Sequence, residues 1–189
     1  MTEIRERQHF EQVYAHTYAD LVRFVVRRRY PADQAEDVVA EAFAVAWQRL
    51  RDLPDELGEA RAWLFGITRR LLLAKQRTDN RGRELSVRIA GQVAVGGPAL
   101  AHDDLVATSV DLANAWNALT AMHQEALSLA VWEGLTSAQA AQVLGISAVA
   151  YRIRLSRARR LLKHNLGTTP DEVAADGRRR PASSEKGYV

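Results

Sequence analysis

The chain has 189 residues, of which 47% are hydrophobic and 26% charged, a balance that fits one ordinary folded domain or two small ones. It contains no cysteine, which excludes disulfides, cysteine-ligated zinc, iron–sulfur clusters and cysteine nucleophiles. The net charge is only +3, and all but three of the 26 basic residues are arginines, so the distribution of charge is more informative than its sum.

Helical spacing of apolar residues predicts three helices in the N-terminal part, over 10–30, 33–50 and 61–77. Asp33 is the expected N-cap of the second helix, with an acidic residue three positions later as in a capping box. The segment 51–60 contains a proline, a glycine and four acids, which predicts a loop. The residues expected to be buried are Phe10, Tyr14, Leu21, Val25, Val39, Phe43, Trp47, Leu50, Leu64, Ile67, Leu71 and Ala74.

Four further helices are predicted in the C-terminal part, beginning at Asp111 and ending near Asn165. Thr136 caps the third of them, with Gln139 as its capping-box partner, and Gly145 ends it. The turn and cap residues on either side are Gly134 and Ser147, and the expected buried residues are Leu112, Trp116, Leu119, Leu127, Ala130, Val131, Tyr151, Leu155, Ala158 and Leu162.

The two helical parts are separated by a segment rich in glycine and without a sustained period. We therefore predict an all-α protein of two small helical domains, 6–77 and 109–165, joined by a flexible linker over 78–108. The linker holds at most a short helical piece over 85–93. Residues 166–189 combine proline, glycine, serine and charge, which predicts a disordered tail.

The segment 136–160 has the arrangement of a helix-turn-helix: a short capped helix, a glycine turn and a second capped helix. The second helix carries bases without a single acid, namely Arg152, Arg154, Arg157, Arg159, Arg160 and Lys163. Like charges three and four residues apart repel one another, which favours an anionic partner such as duplex DNA. The alternative is a helical hairpin whose basic face is only solvated.

The third helix is the second basic element, with Arg69, Arg70, Lys75 and Arg77 towards its C-terminal end. Cations at that end also suit the helix dipole, which is the structural alternative. Trp63 and Phe65 add aromatic rings, a combination that suits stacking of unpaired bases, although such rings are more often part of a core.

The second helix carries an acidic face of Asp33, Glu36, Asp37 and Glu41. An acidic stripe in a basic protein does not face DNA, so it is either a solvated surface or a docking site for a basic protein. The five histidines are scattered and no glycine-rich phosphate loop follows a strand, so we predict no enzyme, metal or cofactor site. No apolar run approaches the roughly 20 residues of a membrane helix and the charged start lacks a signal-peptide pattern, so we expect a cytoplasmic protein without a membrane partner.

Taken in order, these pieces resemble the extracytoplasmic-function (ECF) sigma factors, the small sigma-70-type specificity subunits of bacterial RNA polymerase. The resemblance covers roughly 10–77 and 112–163. The segment AEDVVAEAF at 35–43 is similar to the family's polymerase-binding helix, AWLFGITR at 62–69 to its promoter-melting helix, and LGISAVAYRIRLSRAR at 144–159 to its recognition helix.

The resemblance implies that the first domain binds core RNA polymerase and the melted promoter element nearest the start site. The polymerase contacts, on the clamp helices, would come from Glu36, Asp37 and Glu41, and polymerase binding also involves the flap. The loop 51–60 would hold a flipped non-template base. The residues on the melted strand would be Trp63, Arg69, Arg70 and Arg77. The second domain would read an upstream duplex element through Ser147, Ala148, Val149, Arg152, Arg154 and Arg157, and an anti-sigma factor is an implied further partner.

The sequence departs from the family pattern at several positions. Gly66 stands where the family usually has a basic residue, Arg70 where it has asparagine, and Ala40 where it has glutamine. Leu119-Thr120 replaces a Leu-Pro start, and Val149-Ala150-Tyr151 replaces Gly-Thr-Val, so that the tyrosine must fill a larger pocket. Two other functions remain open: an autonomous helix-turn-helix regulator, and a helical adaptor with no nucleic-acid role.

Overall fold

The computed structural model describes residues 2–28, 34–78, 87 and 103–167, and within these ranges the chain forms α-helices and no strand. The helices are α1 (Thr2–Arg27), α2 (Ala35–Gln48), α3 (Leu57–Thr78), α4 (Asp103–Asn117), α5 (Ala121–Val131), α6 (Ser137–Leu144) and α7 (Ala148–Gly167). A 3₁₀ helix at Leu50–Asp52 connects α2 to α3. The predicted all-α class is confirmed, and none of the described helices is long and apolar enough to cross a membrane.

Three helices begin earlier than the sequence pattern predicts. α1 begins at Thr2, because its charged first turns favour a helix without contributing apolar periodicity. α3 begins at Leu57, inside the predicted loop 51–60, where the Glu56 carboxylate accepts the backbone N–H of Glu59 at 2.7 Å and so caps the first turn. α4 begins inside the predicted linker. The expected cap Asp33, most of the linker with its short helical piece, and the tail beyond Gly167 lie outside the described residues.

The helices α1–α3, here called the N-terminal unit, share one core. Its largest buried members are Val13, Leu21, Phe24, Val25, Val38, Val39, Leu64, Phe65 and Leu72. The prediction that Tyr14, Trp47 and Ala74 are buried is wrong: Tyr14 and Trp47 are 44% and 45% exposed and Ala74 is also exposed. These positions lie at the edge of their helical stripes, where Tyr14 instead packs on Phe43 with ring centroids 4.6 Å apart.

The helices α4–α7, here called the C-terminal unit, enclose a second set of buried residues. Trp116, Leu119, Leu127, Tyr151 and Leu155 are buried as predicted, as is Ala158. The expectation that Leu112 and Val131 are buried is wrong, since both are exposed, Val131 by 66%. Val131 is the last residue of its helix, where the stripe no longer faces the core.

The two units pack directly against each other, and their buried residues form one continuous cluster. One place where the units meet is between α3 and α6, at Gly66. A Cβ atom placed on Gly66 would lie 3.9 Å from the Cα atom of Val143, ordinary van der Waals contact, so the helices meet with almost no side chain between them. Position 66, where the family usually has a basic residue, is therefore buried in the contact between the units.

Candidate nucleic-acid interface

The helix-turn-helix predicted over 136–160 is formed by α6 and α7, with the predicted caps. The hydroxyl of Thr136 accepts the backbone N–H of Gln139, whose side chain accepts the backbone N–H of Thr136, which completes the capping box. Gly145 ends α6 in the left-handed region, at φ +68°. The Ser147 hydroxyl accepts the N–H of Ala150 at 3.1 Å and caps the first turn of α7.

Tyr151 fixes α7 on the C-terminal unit. It is 1% exposed, and its hydroxyl donates a hydrogen bond of 2.9 Å to the carbonyl oxygen of Ala126 on α5. Burial raises the pKa of the phenol, an effect that the charge of Arg159 opposes. The larger pocket expected at this position is thus present, and the tyrosine fills it with its polar atom satisfied.

The side of α7 that carries Tyr151, Leu155 and Ala158 is buried, so the basic side chains on its other side face solvent. Ser147, Val149, Arg152 and Arg157 are exposed, while Ala148 and Arg154 are half-buried. The further exposed bases on the helix are Arg159, Arg160 and Lys163. The predicted duplex-reading residues therefore lie together on or beside one solvent-facing strip that carries no acid.

The predicted strand-binding residues of α3 divide into two groups. Arg70 and Arg77 are exposed. Trp63 is half-buried, and the guanidinium carbon of Arg49 lies 5.7 Å from its ring centroid. Arg69 instead faces the C-terminal unit, where its Nε and Nη2 donate to the two carboxylate oxygens of Glu125 at 2.8 and 3.0 Å. The structure thus brings Arg69 to a protein anion rather than to open solvent.

Arg69 belongs to a cluster of charges between the two units that the sequence analysis missed. Arg27 donates to the carboxylate of Glu133 at 2.8 Å, and Arg61 donates to the backbone carbonyl of Glu133 at 2.7 Å. Arg28 is fully buried between Glu125 and Glu133, at 3.9 Å from each carboxylate, with its guanidinium carbon 3.3 Å from the centroid of the Phe24 ring.

Burial shifts the pKa of two groups in this cluster. It lowers the pKa of Arg28 to about 10, although the charges of Glu125 and Glu133 oppose the shift. It also raises the pKa of Glu133, against the opposing arginine charges. The available sequence signal was that each glutamate stands alone in an apolar stretch, in the letters QEALSLAVWEG at 124–134.

Three of the four residues in the predicted acidic face lie within the described part of α2. Glu36, Asp37 and Glu41 are all exposed, and Glu41 forms an ion pair of 2.8 Å with Lys75 of α3. The exposed Trp47 lies six residues beyond Glu41, at the rim of an aromatic group that includes Phe10 and Phe43. Within the described ranges, no group of three or more histidine or acidic side chains is arranged to hold a metal ion.

Between the end of α3 at Thr78 and the start of α4 at Asp103, Val87 is the one described residue, and it is held by the C-terminal unit. Val87 is buried, its carbonyl accepts the indole N–H of Trp116 at 2.7 Å, and its N–H donates to the Gln124 side chain at 3.1 Å. The linker is therefore attached to the helix-turn-helix unit at this residue.

Comparison with known proteins relates both units to transcription proteins. The family model described as Sigma-70 region 2 matches residues 13–82, and that described as Sigma-70, region 4 matches residues 109–162. The chain is 32% identical, over 163 residues, to ECF RNA polymerase sigma factor SigL of Mycobacterium tuberculosis, covering 83% of this chain and 90% of that protein.

Two solved structures are similar over most of the chain. The sigma factor RpoE of Bartonella quintana, in complex with the anti-sigma factor NepR, has a TM-score of 0.58 and 27% identity, covering 83% of this chain and 96% of that one. CnrH, in complex with the cytosolic domain of CnrY, has a TM-score of 0.54 and 26% identity, covering 90% of each chain.

Proposed function

Because the chain belongs to the ECF group of the sigma-70 family and is an RNA polymerase sigma factor, we propose a division of labour between its two units. The N-terminal unit binds core RNA polymerase and the melted promoter strand, and the C-terminal unit binds duplex DNA upstream. The domains we propose for these tasks are 6–77 and 109–165, with 78–108 between them. An autonomous helix-turn-helix regulator is not favoured, because region 2 as well as region 4 is present.

The observation that carries the proposal is the exposed basic strip of α7. The buried side of α7 is fixed by Tyr151, so the basic side chains on its other side are held at the spacing of one rigid helix. A helix fits the major groove of DNA, which is about 12 Å wide. The residues proposed to contact the duplex are Ser147, Ala148, Val149, Arg152, Arg154 and Arg157.

The proposed site for the melted strand is the segment 51–60, which joins α2 to α3 and includes the first turn of α3, with the basic end of α3. Arg70 and Arg77 are exposed there and suited to phosphate, since guanidinium groups bind phosphate oxygens with two hydrogen bonds. Trp63 and Arg69 complete the proposed set. The segment 51–60 is the proposed place of a flipped non-template base.

We assign the acidic face of α2 to the polymerase. Glu36, Asp37 and Glu41 are exposed carboxylates on one helix, which favours a basic partner such as the polymerase clamp helices. The polymerase flap is a second proposed contact. An anti-sigma factor is also a proposed partner, because RpoE and CnrH, the similar solved structures, are complexes with NepR and CnrY. These partners imply a cytoplasmic location.

Run-off transcription with core polymerase tests the proposal. On a genomic promoter library, we expect transcripts that depend on this chain. The double variant Asp37→Lys/Glu41→Lys should lose transcripts and co-purification with core polymerase, because two attractions become repulsions. The control Glu11→Lys/Asp111→Lys makes the same change in net charge at exposed positions elsewhere. Unchanged co-purification of the α2 variant would reject the polymerase site.

A further inference from the structure

We propose that Val149 and Ile153 read the 5-methyl groups of thymine in the upstream duplex element, and that this element contains thymines where the two side chains meet it. The inference rests on the proposed function, because it depends on the assignment of α7 to duplex DNA. It goes beyond that assignment by naming a chemical feature of the promoter sequence and by adding Ile153 to the residues that contact the duplex.

Val149 and Ile153 lie on the centre line of the exposed side of α7, opposite the buried Tyr151. They are followed on this line by Ser156 and Arg160, so that its members are four, three and four residues apart and stay on one side of a helix with 3.6 residues per turn. Val149 is 56% exposed and Ile153 is 49% exposed. The first two turns of α7 therefore present apolar side chains at the middle of the surface that faces solvent.

Basic side chains flank this centre line on both sides. Arg152 is three residues after Val149 and Arg157 is four residues after Ile153, and steps of three and of four residues turn to opposite sides of a helix. Both arginines are exposed. Phosphates border the major groove on both sides, so a helix with basic edges and an uncharged centre fits the groove with its centre on the base edges.

The chemistry of the two side chains selects thymine among the four bases. Valine and isoleucine side chains neither donate nor accept hydrogen bonds, and the apolar group that a base edge offers in the major groove is the thymine 5-methyl group. A hydrogen-bonding group of a base that is covered by an apolar side chain loses water without gaining a partner, which disfavours the other bases. Both side chains branch at Cβ, so their rotamers in a helix are already restricted before they meet the duplex.

The spacing of the two side chains limits the spacing of the thymines. Residues four apart on a helix have Cβ atoms about 5–6 Å apart. Successive base pairs are about 3.4 Å apart along the duplex. We therefore expect the two methyl groups to lie one or two base pairs apart, on the same strand or on opposite strands.

An apolar groove on a protein partner is the alternative occupant of the centre line. Single exposed apolar residues are ordinary on protein surfaces, so exposure alone does not select a partner. The surrounding charge does, because α7 carries bases and no acid over Ala148–Gly167. A face with an apolar centre and edges of one positive sign is complementary to a groove that is bordered by phosphate and contains methyl groups.

Replacement of thymine by deoxyuridine in the upstream element tests the inference, since it removes the methyl group and keeps the hydrogen-bonding groups of the base. The probe is a promoter duplex found by run-off transcription, bound by the full chain in complex with core polymerase. Loss of one buried methyl group should weaken binding about threefold to fivefold, and loss of both about tenfold or more. The same replacement in the spacer between the two promoter elements is the control and should leave the affinity unchanged.

The variant Val149→Ala/Ile153→Ala connects the methyl groups to these side chains. Both positions are exposed and alanine favours a helix, so we expect the fold to be retained. The variant should bind the thymine and deoxyuridine duplexes within about twofold of each other, because the two losses are then not additive. Ile4→Ala/Val131→Ala makes the same two truncations at exposed positions elsewhere, and this matched control should respond to deoxyuridine as wild type does.

Selection of bound duplexes from a library randomised over the upstream element gives an independent readout. Wild type should enrich thymine at two positions one or two base pairs apart, and the double-alanine variant should lose that enrichment. Equal binding of both duplexes by wild type, or equal sensitivity to deoxyuridine in wild type and the double-alanine variant, would overturn the inference. Chain-dependent transcripts together with either result would retain the proposed function, whereas the absence of such transcripts would reject both.

Discussion

Tyr151 illustrates at the residue scale how a departure from a family pattern is absorbed. Its ring fills the pocket between α5 and α7 and its hydroxyl bonds to the Ala126 carbonyl. We expect Tyr151→Phe to lower the free energy of unfolding by about 1 kcal/mol, because it removes one buried hydrogen bond and little apolar contact. Urea unfolding measures the effect, and Tyr14→Phe, at an exposed position, is the control, which should be about as stable as wild type. If Tyr151→Phe were also as stable as wild type, the hydrogen bond would not stabilise the fold.

Asp20 provides a prediction on pH. Partial burial alone would raise the pKa of its carboxyl, but hydrogen bonds and charges from Arg61 and Arg23 outweigh burial and lower the pKa below its usual value. The stability that the ionised carboxylate contributes is therefore complete above the unfolded pKa of about 3.9 and is lost as pH falls through the folded pKa. Chemical denaturation of wild type and Asp20→Asn should show a stability difference that shrinks on acidification; a difference constant with pH would reject it.

Residue-scale predictions from the sequence succeeded where local chemistry decides. Thr136, Gly145 and Ser147 were identified as caps and a stop because their side chains, or the lack of one, act on backbone only three residues away. The burial of Tyr14 was predicted wrongly because the helical period fixes a stripe but not its edge.

At the scale of the element, the capping box makes α6 a stable first helix for the motif. α6 has only eight residues, too short to be stable by propensity alone, so its cap matters more than it would in a long helix. We expect Thr136→Ala to destabilise the protein by about 1 kcal/mol. Thermal unfolding of Ser156→Ala, an exposed serine in the interior of α7, should show no loss. Equal melting temperatures for Thr136→Ala and wild type would show that the cap does not stabilise α6.

The ends of helices that carry few apolar residues were the elements that the sequence did not predict. The first eight residues of α1 and the first turn of α3 have no apolar period, yet both are helical. In α3 the Glu56 carboxylate supplies the cap, a residue type that is not among the common N-caps. The apolar period therefore located the buried middle part of α1 and α3, and it placed the first residue of each helix too far along the chain.

At the scale of the whole molecule, the packing of the two units could not be predicted from the pattern. It depends on pairs such as Arg27–Glu133, which are separated by 106 residues. An arginine in such a pair has the same local sequence whether it meets water, phosphate or glutamate. The resemblance therefore assigned Arg69 to DNA, and only the three-dimensional structure places Glu125 against it.

The distribution of charge over the whole molecule leads to a prediction on salt. The net charge of +3 is small, but the bases of α7 are concentrated on one solvent-facing strip, so the affinity of the polymerase complex for upstream duplex should fall steeply with salt. Arg157→Ala should weaken binding evenly across sequences and reduce the slope of log affinity against log salt by about 1. Arg152→Ala, if that side chain reads a base edge, should cost about 1–3 kcal/mol and relax sequence preference.

Filter binding of upstream duplexes over a range of salt concentrations measures both effects. Arg5→Ala, an exposed arginine on α1, is the matched control and should leave slope and preference unchanged. If Arg157→Ala and Arg5→Ala gave the same slope, the strip on α7 would not be in contact with phosphate. The release of counterions depends only on the basic side chains that contact the duplex. The salt slope therefore distinguishes a basic strip that contacts phosphate from a basic surface that does not.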